Sequence, residues 1–119
     1  FDVGQVPTQV RVEILTYANK VWIDHTFDTF ADLESLIDAV DKIEHKSGNT
    51  TNTWEALDTL NSQIITTKMG SRLNVSRIAI LITDSRCQKT LRTKVSAEAV
   101  HNVSINIFAI GVGLNIDFV

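Results

Sequence analysis

Two polar segments of the chain carry oxygen donors of the kind that bind a hard metal ion. The first is the run 46–53, Lys-Ser-Gly-Asn-Thr-Thr-Asn-Thr, and the second is Thr83-Asp84-Ser85, which ends a run of apolar residues. Mg²⁺ takes a few hard oxygen ligands in octahedral geometry and keeps several waters. Thr51, Thr53 and Asp84 would supply such oxygens. The same residues also suit structural roles, because a threonine can cap a helix and an aspartate can end a strand.

A nucleotide-binding or hydrolytic site has less support. An aspartate after an apolar strand resembles the Mg²⁺ ligand of P-loop NTPases, but the phosphate-binding run G-x-x-x-x-G-K-[ST] does not occur in the chain. The segment Gly111-Val112-Gly113 lacks the third glycine of a dinucleotide-binding fingerprint. Ser85 lacks the flanking glycines of a nucleophile elbow.

The histidines and the cysteine do not form a catalytic site either. His25 lies in a predicted hairpin, and His45 and His101 lie at predicted helix ends, where none is placed to activate Ser85 or Cys87. Cys87 is the single cysteine of the chain, which excludes an internal disulfide. In a secreted protein we expect its disulfide partner to lie outside this sequence, and a reactive thiol is the alternative. We therefore expect a protein that is not an enzyme.

The spacing of apolar residues predicts an α/β fold. Period-two alternation in 9–17 and again in 21–24 predicts an antiparallel hairpin. Spacings of three and four predict helices, and unbroken apolar runs predict strands that are buried on both faces. The predicted helices are 30–45 with Thr29 as N-cap, 53–68 and 91–101, and the predicted strands are 77–83 and 103–112. We expect a doubly wound, mostly parallel sheet with the hairpin at its edge and helices on both faces.

This fold would bring the two polar segments together. Open α/β sheets bind ligands at the carboxyl ends of their parallel strands. Asp84 follows the strand 77–83, and the run 46–53 enters the helix that begins at 53. Trp54 opens that helix, where it suits either packing between helices or an anchoring contact with a protein partner.

The composition excludes several classes of protein. Of the 119 residues 44% are hydrophobic and 21% are charged, and the net charge is −3. These values are typical of one globular domain, and they argue against disorder and against binding to nucleic acid or to an anionic membrane surface. No apolar run approaches the ~20 residues of a membrane span. Three Asn-x-Ser/Thr sequons, at Asn49, Asn74 and Asn102, predict N-glycosylation and favour a secreted, extracellular protein.

Five segments match the motifs of one family in order and spacing. They are Phe1-Asp2-Val3-Gly4, the hairpin 9–21, Thr51-Asn52-Thr53-Trp54-Glu55-Ala56-Leu57, Ile80-Leu81-Ile82-Thr83-Asp84 and Phe108-Ala109-Ile110-Gly111-Val112-Gly113. The last three are similar to the family's T-N-T-x-x-A-L, I-T-D-G and F-A-I-G-V-G motifs. Together they resemble a von Willebrand factor type A (VWA) domain of the extracellular-matrix kind, over essentially the whole chain.

The resemblance implies a metal-ion-dependent adhesion site. In this family three loops hold a divalent cation, Mg²⁺ or Mn²⁺, and a carboxylate of the partner protein completes its coordination. By position, Thr51 and Asp84 are the metal ligands in this chain, directly or through water. The third ligand segment, D-x-S-x-S, does not occur in residues 1–119.

The resemblance also names residues around that site. Thr53, Trp54 and Ser85 are expected to form the ligand-binding rim, with Trp54 and Ser85 standing where glycine or a small residue is common. A glycan on Asn49 would crowd the same face.

Compared with the family, residues 1–119 are expected to be a partial VWA domain that lacks the central first strand, the first helix and the C-terminal elements. The strands on either side of that first strand would lose a hydrogen-bond partner, so the isolated chain is expected to fold poorly. It is also expected to bind Mg²⁺ or Mn²⁺ weakly or not at all.

The predicted function is extracellular adhesion, by cation-dependent binding of a matrix protein, for example a collagen-like one, or of a cell-surface protein. Two alternatives stay open at this point. One is a structural module of the matrix that assembles without using the cation. The other is a Mg²⁺-dependent NTPase or phosphate enzyme of doubly wound fold.

Overall fold

Strands and helices alternate along the chain, as the apolar spacing predicts. The structure, a computed structural model, describes residues 1–64, 66, 69–84 and 88–113. The order of the elements is β1 (Ile14–Tyr17), β2 (Val21–His25), α1 (Leu33–Asp41), α2 (Thr53–Ile64), β3 (Arg77–Thr83), α3 (Thr90–Asn102) and β4 (Ile105–Gly111). The predicted α/β class is confirmed, and β1, α1 and β4 are shorter than predicted.

The strands form two separate pairs. β1 and β2 are antiparallel, with Tyr17 opposite Val21, so the predicted hairpin is confirmed. β3 and β4 are parallel and in register from Arg77 opposite Ile105 to Thr83 opposite Gly111. Within the described part of the chain no strand joins the two pairs, and no Cα of β1 lies within 8 Å of a Cα of β3.

The core lies between the helix pair α2–α3 and the parallel strands. Leu57 of α2, Val100 of α3 and Ile105 of β4 are its buried centre, and Ala79 and Ile107 pack against them from the sheet. Complete burial of one such aliphatic side chain contributes about 1.5–3 kcal/mol. This packing holds β3 and β4 beneath the two helices, and so fixes where the loop after β3 begins.

The second face of β3 is open. Ile78, Ile80 and Ile82 are each more than 60% exposed, at 65%, 63% and 61%. The prediction that this apolar run is covered on both faces is therefore not met within the described residues. The physical reason is that α2 and α3 cover one face of this strand pair, whereas α1 has no buried residue.

The first helix begins later than its apolar spacing predicts. Its N-cap is Asp32 rather than Thr29, because the Ser35 backbone N–H donates to Asp32 Oδ1 at 2.8 Å and the Ser35 hydroxyl accepts from the Asp32 N–H at 3.3 Å. Hydrogen bonding to Ser35, first from its backbone N–H and then from its side chain, lowers the pKa of the Asp32 carboxyl. The negative charge of that carboxyl suits the positive end of the helix dipole. Phe30 is buried outside the helix, in the turn that precedes it.

Candidate functional site

A cavity of about 670 Å³ lies between the hairpin and the end of β3. Its walls are the end of β1 and the turn after it (15–18), the loop before α2 (43–48 and 50–51), the end of β3 (82–84) and Val112. Thr51 and Asp84 both line it. Residues that are distant in sequence therefore meet at the carboxyl ends of β1 and β3, where the fold class predicts a ligand site.

The loop that carries Thr51 is fastened to the hairpin. The Asn52 backbone N–H donates to the Ala18 carbonyl oxygen at 2.8 Å, and Asn52 Nδ2 donates to the Asn19 carbonyl oxygen at 2.9 Å. Asn52 Nδ2 also donates to Glu55 Oε2 at 3.1 Å, which links the loop to the first turn of α2. These bonds hold the backbone on the C-terminal side of Thr51 in place.

A glycine allows the close approach of the loop and the hairpin. A Cβ added to Gly48 would lie 2.8 Å from Ala18 Cβ, 2.8 Å from Asn19 Oδ1 and 3.0 Å from the Asn19 backbone nitrogen. These distances are shorter than van der Waals contact, so a side chain at this position would push the loop away from the turn. Gly48 itself lines the cavity.

Charged groups of both signs surround the cavity. Lys46 Nζ lies 3.3 Å from Glu44 Oε2 and 3.9 Å from Asp24 Oδ1, so two carboxylates balance its charge. Asp24 also accepts a 2.7 Å hydrogen bond from the Thr16 hydroxyl. Asp84 is exposed at the end of β3, and its carboxylate adds negative charge to the wall. A cation would find oxygen donors there from Thr51 and Asp84.

Thr51 and Asp84 offer the type of ligand that a hard cation prefers, but too few ligands to complete its coordination shell. A hydroxyl and a carboxylate are oxygen ligands suited to Mg²⁺ or Mn²⁺. Among the described residues, however, there is no group of three or more His, Cys, Asp or Glu side chains that could hold a metal ion. Thr51 and Asp84 would therefore be part of a coordination shell that needs further oxygens from water or another segment.

Two of the predicted rim residues lie away from the cavity surface. Thr53 is completely buried at the start of α2, so its side chain is not available to a protein partner. Trp54 packs toward α3, with the Arg92 guanidinium carbon 3.8 Å and Lys89 Nζ 5.5 Å from its ring centroid. Of its two predicted roles, Trp54 thus has the one in packing between helices, here α2 and α3. Ser85, the third predicted rim residue, lies outside the described residues, as does Cys87.

The structure also pairs half-buried Glu13 with buried Gln63, a contact that the apolar spacing does not predict. Burial raises the pKa of the Glu13 carboxyl to about 7. With its amide nitrogen turned toward Glu13, Gln63 donates to both carboxylate oxygens, at 3.0 Å to Oε2. These bonds favour the ionised carboxylate and therefore oppose part of the pKa rise that burial causes. Gln63 is only 6% exposed and lies in α2, so this pair ties the start of the hairpin to that helix. In the sequence, the one sign that Glu13 is partly buried is its position between the apolar residues Val12 and Ile14.

Comparison with known families identifies the chain. The model of the von Willebrand factor type A domain matches residues 1–118. The chain belongs to this family. The match includes both cavity-lining residues that the motifs single out, Thr51 and Asp84.

Proteins of the matrix and the cell surface contain similar VWA domains. The domain is 33% identical over 115 residues to chicken Matrilin-3 and 26% identical over 111 residues to chicken integrin alpha-1. These alignments cover 94% and 93% of this chain but only 24% and 38% of the relatives, so the chain spans well under half of their length. The relatives make this an extracellular domain of the adhesion and matrix type.

A solved structure confirms the fold. Proximal thread matrix protein 1 from the mussel byssus, with a zinc-occupied MIDAS motif, superposes with a TM-score of 0.86 over 92% of this chain and 28% of that one, at 15% sequence identity. At this identity the likeness shows the VWA fold alone. Among the described residues, none of the helices is both long and apolar enough to cross a membrane.

Proposed function

We propose that this VWA domain binds an extracellular protein through a divalent cation held at the cavity between β1 and β3. Thr51 and Asp84 would contribute ligand oxygens, directly or through water, and a carboxylate of the partner would complete the coordination. The observation that carries the proposal is that Thr51 and Asp84 line one cavity although they come from different elements. We further propose that the role of the domain is binding and not catalysis.

The charge distribution supports this role for the cavity. Lys46 is engaged by Glu44 and Asp24, so it does not neutralise Asp84, which is exposed. An exposed carboxylate at a cavity mouth is accessible both to a hydrated cation and to a partner group on the other side of that cation. Without the cation, Asp84 would repel an acidic partner, so the proposal predicts binding that depends on the metal.

The relatives support a choice of partner class. Matrilin-3 and integrin alpha-1 are a matrix protein and a cell-adhesion protein, and we propose that this domain likewise binds a matrix or cell-surface protein. A collagen-like protein is the candidate to test first. Immobilised fibrillar collagen is a suitable probe, because its triple helices present many carboxylates in a regular array.

The test is surface plasmon resonance on fibrillar collagen in Mg²⁺, in Mn²⁺ and in EDTA. We expect binding in either cation and its loss in EDTA, with the same loss in Asp84→Ala. Asp41→Ala removes an exposed carboxylate on α1, away from the cavity, and is the matched control that should bind like wild type. Binding that is unchanged by EDTA would contradict the cation-dependent site and favour the structural assembly role.

Thr51 needs a separate set of three variants, because its hydroxyl also completes the sequon at Asn49. Thr51→Val would remove both the proposed ligand and any glycan on Asn49. Thr51→Ser keeps both, and Asn49→Gln removes only the glycan. We expect Thr51→Val to weaken binding and the other two to leave the cation dependence in place.

A further inference from the structure

Two sequons precede the two parallel strands at matching positions. Asn74-Val75-Ser76 leads directly into Arg77, the first residue of β3, and Asn102-Val103-Ser104 leads directly into Ile105, the first residue of β4. Arg77 and Ile105 are partners in the sheet register. Each asparagine therefore lies three residues before a member of the same residue pair, Arg77 and Ile105. The two identical tripeptides thus lead into neighbouring strands at the same end of the sheet.

The local structure leaves both acceptor asparagines accessible. All three residues of Asn74-Val75-Ser76 are exposed. In the second sequon Asn102 and Ser104 are exposed, whereas Val103 packs against the core between them. Within the described part of the chain neither asparagine side chain takes part in a hydrogen bond, so a substituent on the amide nitrogen would displace none.

The backbone of both segments has a left-handed residue. The φ of Asn74 is 57° and that of Ser104 is 62°. Outside glycine this conformation is uncommon, and asparagine is one of the residues that tolerate it best. The chain thus turns tightly into each strand. Asn74 lies in the exposed segment before β3, whereas Asn102 is the exposed last residue of α3 and precedes the turn at Val103 and Ser104.

We infer that Asn74 and Asn102 both carry N-linked glycans in the secreted protein. In that reaction the side-chain amide nitrogen forms a bond to the anomeric carbon of an oligosaccharide carried on a polyisoprenoid lipid diphosphate. The bond between that carbon and the diphosphate oxygen breaks, the lipid diphosphate leaves, and the amide loses one proton. The donor is the lipid-linked oligosaccharide of the secretory pathway, which an extracellular protein meets during synthesis.

The two glycans would lie at the end of the domain opposite the cavity. Both sequons precede the first residues of β3 and β4, whereas Asp84 follows the last residue of β3. Seven residues of strand separate the two ends by about 20 Å, at roughly 3.3 Å per residue. A glycan pair at this end would leave the cavity free and restrict a protein partner to approach from the carboxyl ends of the strands.

The test is a glycopeptide map of the wild-type protein secreted from a mammalian cell line. Enzymatic removal of N-glycans in heavy-oxygen water marks each occupied asparagine as a labelled aspartate. We expect the label at Asn74 and at Asn102. Unlabelled asparagine at either position in the secreted wild type would overturn the inference, and this readout needs no variant to fold.

Variants that respect the left-handed backbone then give an independent readout. Asn74→Gly and Ser104→Gly each remove one sequon and place glycine where φ is positive, so neither adds backbone strain. Each should increase gel mobility by one glycan step and the double variant by two. Ser76→Thr keeps its sequon and should migrate like wild type. Glycan occupancy is read from mass and gel mobility, and not from ligand binding. A sequon without a glycan is therefore distinguishable from a failure of cation-dependent binding.

Discussion

The backbone N–H of Asn52 donates a 2.8 Å hydrogen bond to the carbonyl oxygen of Ala18, and this bond fastens the loop that carries Thr51 to the turn after β1. The Asn52 side chain adds bonds to the Asn19 carbonyl oxygen and to Glu55. Thr51 is thus placed by its neighbour, and the geometry of the proposed site depends on a residue that is not itself a proposed ligand.

Replacement of Asn52 by alanine should loosen this loop. The change removes two side-chain hydrogen bonds, each with a net contribution of about 0.5–1.5 kcal/mol, so the free energy of unfolding should fall by roughly 1–3 kcal/mol. Urea unfolding followed by circular dichroism measures the loss. Asn49→Ala, an exposed change in the same loop, is the control and should be near neutral. Equal stability of the two variants would contradict the fastening role.

The carboxyl of Glu13 should make stability depend on pH. Its pKa is raised from 4.5 to about 7 in the folded state, so the folded chain keeps a proton that the unfolded chain releases. The free energy of unfolding should therefore fall as the pH rises from about 4.5 to about 7. Since Glu13 is only partly buried, solvent screening reduces the effect to the order of 1 kcal/mol.

A matched pair of variants isolates this contribution. Glu13→Gln keeps the shape but cannot ionise, so its stability relative to wild type should improve between pH 5 and pH 8. Glu34→Gln changes an exposed acid on α1, and its free energy of unfolding should depend on pH in the same way as that of wild type. If Glu13→Gln also runs parallel to wild type, the raised pKa of Glu13 does not contribute to stability.

The packing of Trp54 against Arg92 should contribute to the α2–α3 interface. The guanidinium carbon lies 3.8 Å from the ring centroid, and Arg92 Nη2 lies 3.9 Å from Asp58 Oδ2 on α2. A cation–π contact at an exposed site is worth about 0.5–1 kcal/mol, so Arg92→Ala should lower stability by about that amount and shift the emission of Trp54. Lys94→Ala, an exposed change on the same helix, should leave both unchanged.

Residues 1–119 alone should bind Mg²⁺ no more tightly than in the millimolar range. Thr51 and Asp84 supply few oxygens, and the described residues include no larger cluster of acidic, histidine or cysteine ligands. Water would have to fill the rest of the coordination shell, which leaves little gain over the fully hydrated ion. Calorimetric titration measures this affinity, and a submillimolar dissociation constant would contradict the incomplete donor set.

The spacing of apolar residues predicted the paired strands well. The strand 77–83 was predicted to the residue, and both the hairpin and the parallel pair are confirmed. The start of α1 was predicted wrongly, because Phe30 fits the helical spacing but is buried in the preceding turn, and Asp32 is a better cap than Thr29. The hydrogen bonds of the N-cap residue set the start of α1, and the spacing of apolar residues carries no information about them.

The site was predictable only in part, for physical reasons. The rule for parallel sheets placed Asp84 and the loop of Thr51 at one edge, and the structure shows that they line one cavity. Thr53 and Trp54 follow Thr51 directly, but the turn into α2 directs them into the core and toward α3. Adjacent residues at a helix start point in different directions, so proximity in sequence did not imply a shared surface.

Paramagnetic broadening by Mn²⁺ tests the central claim most directly, because it locates a bound cation even when binding is weak. In amide NMR spectra of the isotope-labelled protein, substoichiometric Mn²⁺ should first broaden the signals of residues around Thr51 and Asp84. Asp84→Ala should abolish that local effect, and Asp41→Ala should preserve it. Broadening that is centred elsewhere, or that survives in Asp84→Ala, would contradict a cation site formed by these two residues.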